Sequence, residues 1–302
     1  MNPLDAMQIF IRIAEHGSFT RAAESLGIPK ASASIAVQKL EANLGARLLH
    51  RTTRKVQLTQ DGQAFYERSK DLLSDIDELQ SMFQHGEQSL RGRLRVDMSS
   101  GVARHFVLRR LPEFMQAHPL IELELSSTDR LVDLVREGFD CVLRVGALAD
   151  SNLIARPLGV FRVINCASPD YLERYGTPKT LEDLSGHQLV HYVSTLGARS
   201  PGWEYPVGNG YASLPMAGAI TVNSSDAYTE ACVAGLGLIQ APAAGLQLLL
   251  AAGKLVEVMR DCRAEPMPVS LIYANRRNLP RRVQAFMTWL ALVLKPYLDP
   301  AR

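Results

Sequence analysis

Three short polar stretches of this 302-residue chain carry residue types that can hold a small molecule. Ser99 and Ser100 in DMSSG, Ser127 and Thr128 in SSTD, and Asn223, Ser224 and Ser225 in TVNSSD each follow a strand-like run and precede a helix-like one. Side chains at such points lie beside the unpaired N–H groups of a helix start, where open α/β sheets collect their ligands. Arg144 and Gly146 end the strand-like run DCVLRVG and bring one candidate cation. The set Ser99, Ser100, Thr128, Arg144, Gly146, Asn223 and Ser224 suits a small polar or anionic metabolite bearing hydroxyl or carboxylate groups. Each hydroxyl has a plainer alternative as a helix cap, and Arg144 has one as a partner of Asp150.

Catalytic patterns do not join them. The glycine pair Gly235 and Gly237 in GLGLIQ follows a helical run and precedes an extended one, the reverse of the order that holds a pyrophosphate. There is no P-loop, no H-E-x-x-H and no G-x-S-x-G. His187 and His191 stand four apart without a third ligand, and Cys141, Cys166, Cys232 and Cys262 are scattered with no C-x-x-C. No catalytic residue, metal or cofactor is expected.

A second constellation lies near the start. In GIPKASASIAVQKLE, Ala33, Ala36, Val37 and Leu40 recur on one side of a helix at about 100° per residue. The other side shows Ala31, Ser34, Ile35 and Gln38, small or uncharged where a solvated helix carries Glu and Lys. Soon after, Arg47, Arg51, Arg54 and Lys55 fall within nine residues with no acidic residue among them. The net charge of +2 is too small to mark the whole molecule as a nucleic-acid binder, so the basic signal is local.

These residues need elements to hold them. With 47% hydrophobic and 21% charged residues, the composition is that of a globular protein of two or three domains. Asp5, Arg12 and Glu15 come too early for a secretory leader, which points to a cytoplasmic protein. The charge-free run from Ala231 to Gly253 is broken by Gln240, Pro242 and Gln247, and reads as strand, turn and short helix; no membrane association is expected.

Ser18 can cap a helix through Leu26 that Gly27 ends, Pro29 suits the start of the next helix and Gly45 its end. This is a helix-turn-helix. Leu48, Leu49, Val56 and Leu58 then flank the basic tip as a small hairpin. From Gly62 to about Phe83 one longer helix repeats Phe65, Leu72 and Leu79 every seven residues, with Ile76 and Phe83 between. That pattern is either a dimerising seam or an amphipathic helix packed on its own domain. Beyond Gly92, RLRVDM, LIELEL and DCVLRVG alternate with helical runs around Phe106 to Met115 and Leu131 to Arg136, an order that predicts a parallel sheet. VINCAS opens a similar stretch through AITVNSS and GLGLIQAP, and PVSLIYAN with a helix after Pro280 closes the chain.

Ser18, Ala22, Ala23, Leu26, Ser34, Val37, Leu40, Glu41, Leu44, Gly45, Leu48, Arg51, Leu58, Thr59 and Gly62 stand in the register of the N-terminal signature of the LysR-type transcriptional regulators, which this chain resembles. LVREGFDCVLRVG, CASPDYL and VAGLGLIQAP look like the same family's effector-binding domain. The resemblance implies an α/β protein with an N-terminal all-α winged helix-turn-helix (1–61), a linker helix and hinge (62–91), and a two-subdomain effector-binding domain resembling periplasmic binding proteins (92–302). The first subdomain would take about 92–162 plus 266–302, the second about 163–265. It also implies double-stranded DNA as partner, a homodimer or homotetramer built through Phe65, Leu72, Ile76, Leu79 and Phe83, and an effector in the cleft.

On this footing Lys30, Ala31, Ser32, Ser34, Ile35 and Gln38 face the major groove, and Arg51, Thr52, Arg54 and Lys55 follow the phosphates. Ile35 departs from the family pattern, which is often basic or polar there; it either touches thymine methyls or packs on a neighbouring chain or helix. Two other classes fit less well: an α/β enzyme with an added DNA-binding module, and a ligand-independent architectural DNA binder.

Overall fold

The structure, a computed structural model, describes residues 2–51, 56–81, 90–148, 153–274 and 279–300. The chain forms two compact units, Met1–Arg93 with Leu120–Glu122 and Leu94–Pro119 with Leu123–Arg302.

In the first unit α1 (Pro3–His16) begins with proline at its first turn, and Asn2 and Asp5 exchange reciprocal capping bonds. α2 (Phe19–Leu26) starts at Ser18, whose hydroxyl accepts from the Arg21 N–H at 3.4 Å, and stops at left-handed Gly27. α3 (Lys30–Leu44) follows Pro29 and ends at left-handed Gly45. The three helices bury Phe10, Ile13, Ala22, Ala23, Ala33, Ala36, Val37 and Leu40 together. The alanines let the helix backbones approach closely, and each fully buried larger side chain contributes about 1.5–3 kcal/mol. The wing is the antiparallel pair β1 (Leu49–Arg51) and β2 (Val56–Leu58), with Leu49 opposite Leu58. α4 (Gln60–Ser81) follows.

The second unit opens with β3 (Arg91–Met98), then an unbroken helical run made of α5 (Ser100–Val102), a π-helical turn at Ala103–Val107 and α6 (Leu108–Ala117). β4 (Leu120–Ser127), α7 (Leu134–Glu137), β5 (Cys141–Val145) and β6 (Ile154–Phe161) complete the first lobe's early strands. The second lobe runs β7 (Val163–Ala167), α8 (Pro169–Tyr175), β8 (His191–Tyr192), β9 (Trp203–Val207), β10 (Gly210–Leu214), β11 (Thr221–Val222), α9 (Ser225–Val233), β12 (Ile239–Pro242), α10 (Ala243–Ala251) and β13 (Val256–Val258). β14 (Met267–Tyr273) and α11 (Arg281–Leu294) return to the first lobe.

The main sheet has the order β4-β3-β5-β14-β6. β3 and β5 pair in parallel, as the alternation of strands and helices predicts, but β14 is antiparallel to both β5 and β6. The sheet is therefore mixed: β14 re-enters from the second lobe and runs against β5. The second lobe departs further. Its central strand β7 is flanked by β12 and β13, both antiparallel, and only Thr221 and Val222 of AITVNSS are extended, pairing in parallel with β8. Strand-forming residues are visible in a sequence, whereas strand direction is fixed by connections between distant segments. Among the described residues, no helix is long and apolar enough to cross a membrane.

Candidate functional site

The outer side of α3 is open. Lys30, Ala31, Ile35 and Gln38 are exposed, and Ser32 and Ser34 half-buried, while Ala33, Ala36, Val37 and Leu40 behind them are buried. Ile35 keeps 49% of its surface and so does not belong to this unit's core. The wing is fastened to this helix by Glu41, whose Oε1 accepts from the Leu48 and Leu49 N–H groups at 2.8 and 3.1 Å. The Thr59 hydroxyl donates to the Arg47 carbonyl at 2.6 Å and accepts from the Gly62 N–H at 2.8 Å. Gly62 lies so close to the wing that a Cβ there would stand 1.9 Å from the Leu48 carbonyl oxygen. Arg51 closes β1; the expected contacts at Thr52, Arg54 and Lys55 lie outside the described residues.

The seam residues divide. Phe65 packs into the first unit's own core, edge-on to Phe10 at a centroid distance of 5.5 Å. Leu72 is 43% exposed and Ile76 half-buried, so an apolar strip continues along α4 beyond the core. Phe83 lies outside the described residues, as does the Leu79 side chain.

In the second unit a cavity of about 430 Å³ gathers residues from both lobes. Of the seven expected effector residues, Ser99, Thr128, Arg144 and Gly146 line it, whereas Ser100, Asn223 and Ser224 do not. Ser100 is turned to another task, and Asn223 is exposed. Position 225 rather than 224 supplies the serine from α9.

Sequence reasoning passed over Asp129, the last residue of SSTD. Its Oδ1 accepts from the Ser100 N–H at 3.0 Å, and its Oδ2 from the Ser100 hydroxyl at 3.0 Å and the Ser225 N–H at 2.5 Å. One carboxylate thus caps the helical run beginning at Ser100 and the start of α9, and the Ser225 hydroxyl contacts the Ser100 hydroxyl at 2.9 Å and accepts from the Gly101 N–H at 3.2 Å. Ser99 and Ser224 occupy the N-cap positions yet make no side-chain capping bond. Their expected alternative as caps is filled by Asp129 instead.

Arg144, the candidate cation, is already engaged. Its Nη1 lies 2.8 Å from Oδ2 of the fully buried Asp97, and it also donates to the Leu143 and Arg130 carbonyls. Thr128 donates its hydroxyl to the same Asp97 at 3.1 Å. Asp150, the partner considered from sequence, lies outside the described residues. The wall is mainly apolar and aromatic, with Phe106, Leu131, Phe161, Tyr228 and Met267 prominent. Phe106 and His105 come from the π turn, a local widening of the helix that often accompanies functional sites. Burial, with the Arg104 charge adding to it, holds His105 below the usual histidine range. Burial pushes the Tyr192 hydroxyl up to about 12, the Asp129 charge adding to the effect.

The remaining candidates are structural. His187 is buried with its Nδ1 3.2 Å from the Tyr171 hydroxyl. All four cysteines are free thiols, and burial pushes Cys166 up to about 12. Among the described residues no cluster of His, Cys, Asp and Glu could hold a metal ion. Gly235 and Gly237 form the turn between α9 and β12, where a Cβ on Gly237 would meet the Gln188 carbonyl at 2.7 Å.

A winged helix-turn-helix ahead of a two-lobed α/β unit with an internal cavity defines a transcription regulator of the kind that responds to a small molecule. Residues 4–63 match the family described as bacterial regulatory helix-turn-helix protein, lysR family, and residues 87–295 match the LysR substrate binding domain. The chain belongs to the LysR-type transcriptional regulators and is not an enzyme. It is similar to YhjC of Escherichia coli, an uncharacterized HTH-type transcriptional regulator, at 49% identity over 299 residues, covering 99% of this chain and 100% of that one. An HTH-type transcriptional repressor of Pseudomonas aeruginosa is 38% identical over 290 residues, 96% of this chain and 92% of that one. Among solved structures, CrgA of Neisseria meningitidis, a LysR-type regulator, superposes with a TM-score of 0.59 at 29% identity, covering 95% of this chain and 97% of that one.

Proposed function

We propose that this regulator binds dyad-symmetric DNA as a homodimer or homotetramer, and that a small molecule in the α/β cavity sets its grip on the DNA. The observation that carries the reading is the outer face of α3, with Lys30, Ala31, Ile35 and Gln38 exposed opposite a buried alanine and valine face. A charge-poor face suits a helix that leaves water for the major groove. There Gln38 can pair with adenine through two hydrogen bonds, Ser32 and Ser34 reach base or phosphate, and Ile35 meets a thymine methyl. Lys30, with Arg51, Arg54 and Lys55 of the wing, neutralises phosphates, and Thr52 hydrogen-bonds to them.

Assembly through the apolar strip at Leu72 and Ile76, with Leu79 and Phe83 sharing its seven-residue spacing in the sequence, places two such units on one site. Effector binding at Ser99, Thr128, Arg144 and Gly146 changes the angle between the two lobes. This acts on transcription only if the two conformations differ in effector affinity. Footprinting with purified protein tests the core of the proposal. Two protected half-sites related by a dyad, spaced at a multiple of about one helical turn, are expected. A single undivided, asymmetric site occupied by a monomer would overturn it.

A further inference from the structure

The cavity already holds a carboxylate of its own. Helix starts are ready anion seats, and the two that open on this cavity, at Ser100 and at Ser225, are both satisfied by Asp129. Among the described lining residues Arg144 is the only lysine or arginine, and its guanidinium is paired with the buried Asp97. His105, the other basic group on the wall, is held below the usual histidine range by burial and the nearby Arg104, which disfavours its charged form. Apolar and aromatic side chains supply most of the rest, and 430 Å³ lies within the usual range for a small-molecule site, about 300–1,000 Å³. The Tyr192 hydroxyl makes no hydrogen bond among the described residues and is left to serve a guest.

We infer that the cavity selects an uncharged, largely aromatic or aliphatic molecule carrying a hydrogen-bonding group, and rejects an anion of the same shape, with Asp129 as the residue that sets this selectivity. The inference rests on the cavity being the effector site, and it reverses the anionic effector suggested by the hydroxyls and Arg144 alone. A second anion in this space meets the charge of Asp129 with no free cation to offset it. Seating it on the helix starts requires Asp129 to leave them, which strips that carboxylate of three hydrogen bonds in a half-buried place. An uncharged guest meets neither obstacle and gains by covering the apolar wall.

Two dyes sharing one skeleton test this on the full chain: N-phenyl-1-naphthylamine, uncharged, and 8-anilinonaphthalene-1-sulfonate, which adds an anionic group. Fluorescence titration is expected to show the uncharged dye binding the wild type at least roughly tenfold more tightly, as unpaired buried charge is penalised. Gly245→Phe identifies the site, because Gly245 lies on the wall and its absent Cβ would stand 3.8 Å from the His105 ring; both dyes should lose affinity there. Asp129→Asn, which keeps the shape and removes the charge, should narrow the gap by strengthening the sulfonate dye. An unchanged gap in Asp129→Asn, or a sulfonate dye bound by the wild type as tightly as its partner and lost in Gly245→Phe, overturns the selectivity while leaving the cavity as a binding site. Dye binding absent, or indifferent to Gly245→Phe, overturns the cavity reading as well. Where Asp129→Asn does not fold, the wild-type ratio alone decides.

Discussion

Ile35, 49% exposed on the outer side of α3, has no role in the first unit's core, so its apolar side chain is free to meet a thymine methyl. Ile35→Ala should leave the melting temperature nearly unchanged and cost about 1 kcal/mol of affinity at operators carrying the contacted thymine. Replacing that thymine by uracil should cost the wild type a similar amount and the variant almost nothing; a sharp fall in melting temperature would instead make Ile35 a packing residue. Gly62 is the opposite kind of residue, needed for what it lacks. With the Leu48 carbonyl 1.9 Å from where a Cβ would sit, Gly62→Ala must push α4 and the wing apart, at a cost of roughly 1–3 kcal/mol in a urea melt. Both positions stand out in the sequence, but for different reasons. Helical phase alone places Ile35, whereas the contact between Gly62 and Leu48 joins residues fourteen apart along the chain and is visible only in the fold.

The elements of the first unit are the most legible because their limits are local. Ser18, Gly27, Pro29 and Gly45 act within a few residues of themselves, and α2 and α3 start and stop at them. What holds the wing is less local. Glu41 carries two wing N–H groups on one oxygen, so Glu41→Ala should loosen β1 and cost about 1–3 kcal/mol, with a matching loss of DNA affinity measured by fluorescence anisotropy. α4 answers the choice between seam and self-packing along its length: Phe65 belongs to its own domain, and Leu72 is exposed. Leu72→Glu should therefore leave the helical circular dichroism intact and shift the sedimenting species toward monomer, because a charge is costly inside an apolar contact. Retention of the full assembly would place the interface elsewhere. In the second unit the sequence shows β3, β4, β5, β7, β12 and β14 but not β6, β8, β9, β10 or β13, and it does not show strand direction, since β7 meets its neighbours only after long excursions.

At the scale of the molecule the cavity shows why a binding site is harder to read than a fold. Thr128 and Arg144 stand out as polar residues at strand ends, but whether each is available depends on Asp97, which meets them both from elsewhere in the chain, just as Asp129 takes up the helix starts at Ser100 and Ser225. The same environment sets a response to pH. His105 at the cavity and His187 beneath α8 are both held below the ordinary value of about 6.5, each chiefly by burial. For His105 the charge of Arg104 adds to burial and Asp226 opposes it; for His187 only Asp183 opposes. Below that value each histidine takes up its proton more readily unfolded than folded. The unfolded state then binds more protons, so stability is at its full value above about pH 6.5 and declines as the pH drops through the window down to the folded values. The lowered acids Glu113, Glu137, Asp183 and Glu182 add their own loss only at more acidic pH, since their ordinary values lie near 4. Thermal melts between about pH 7.5 and about pH 5.5 should fall with acidification by the equivalent of fewer than about two protons, and His105→Phe should remove part of that slope. A melting temperature that rises as the pH falls through this window, or a slope untouched in His105→Phe, would mean that His105 is not held below its ordinary value at the cavity wall.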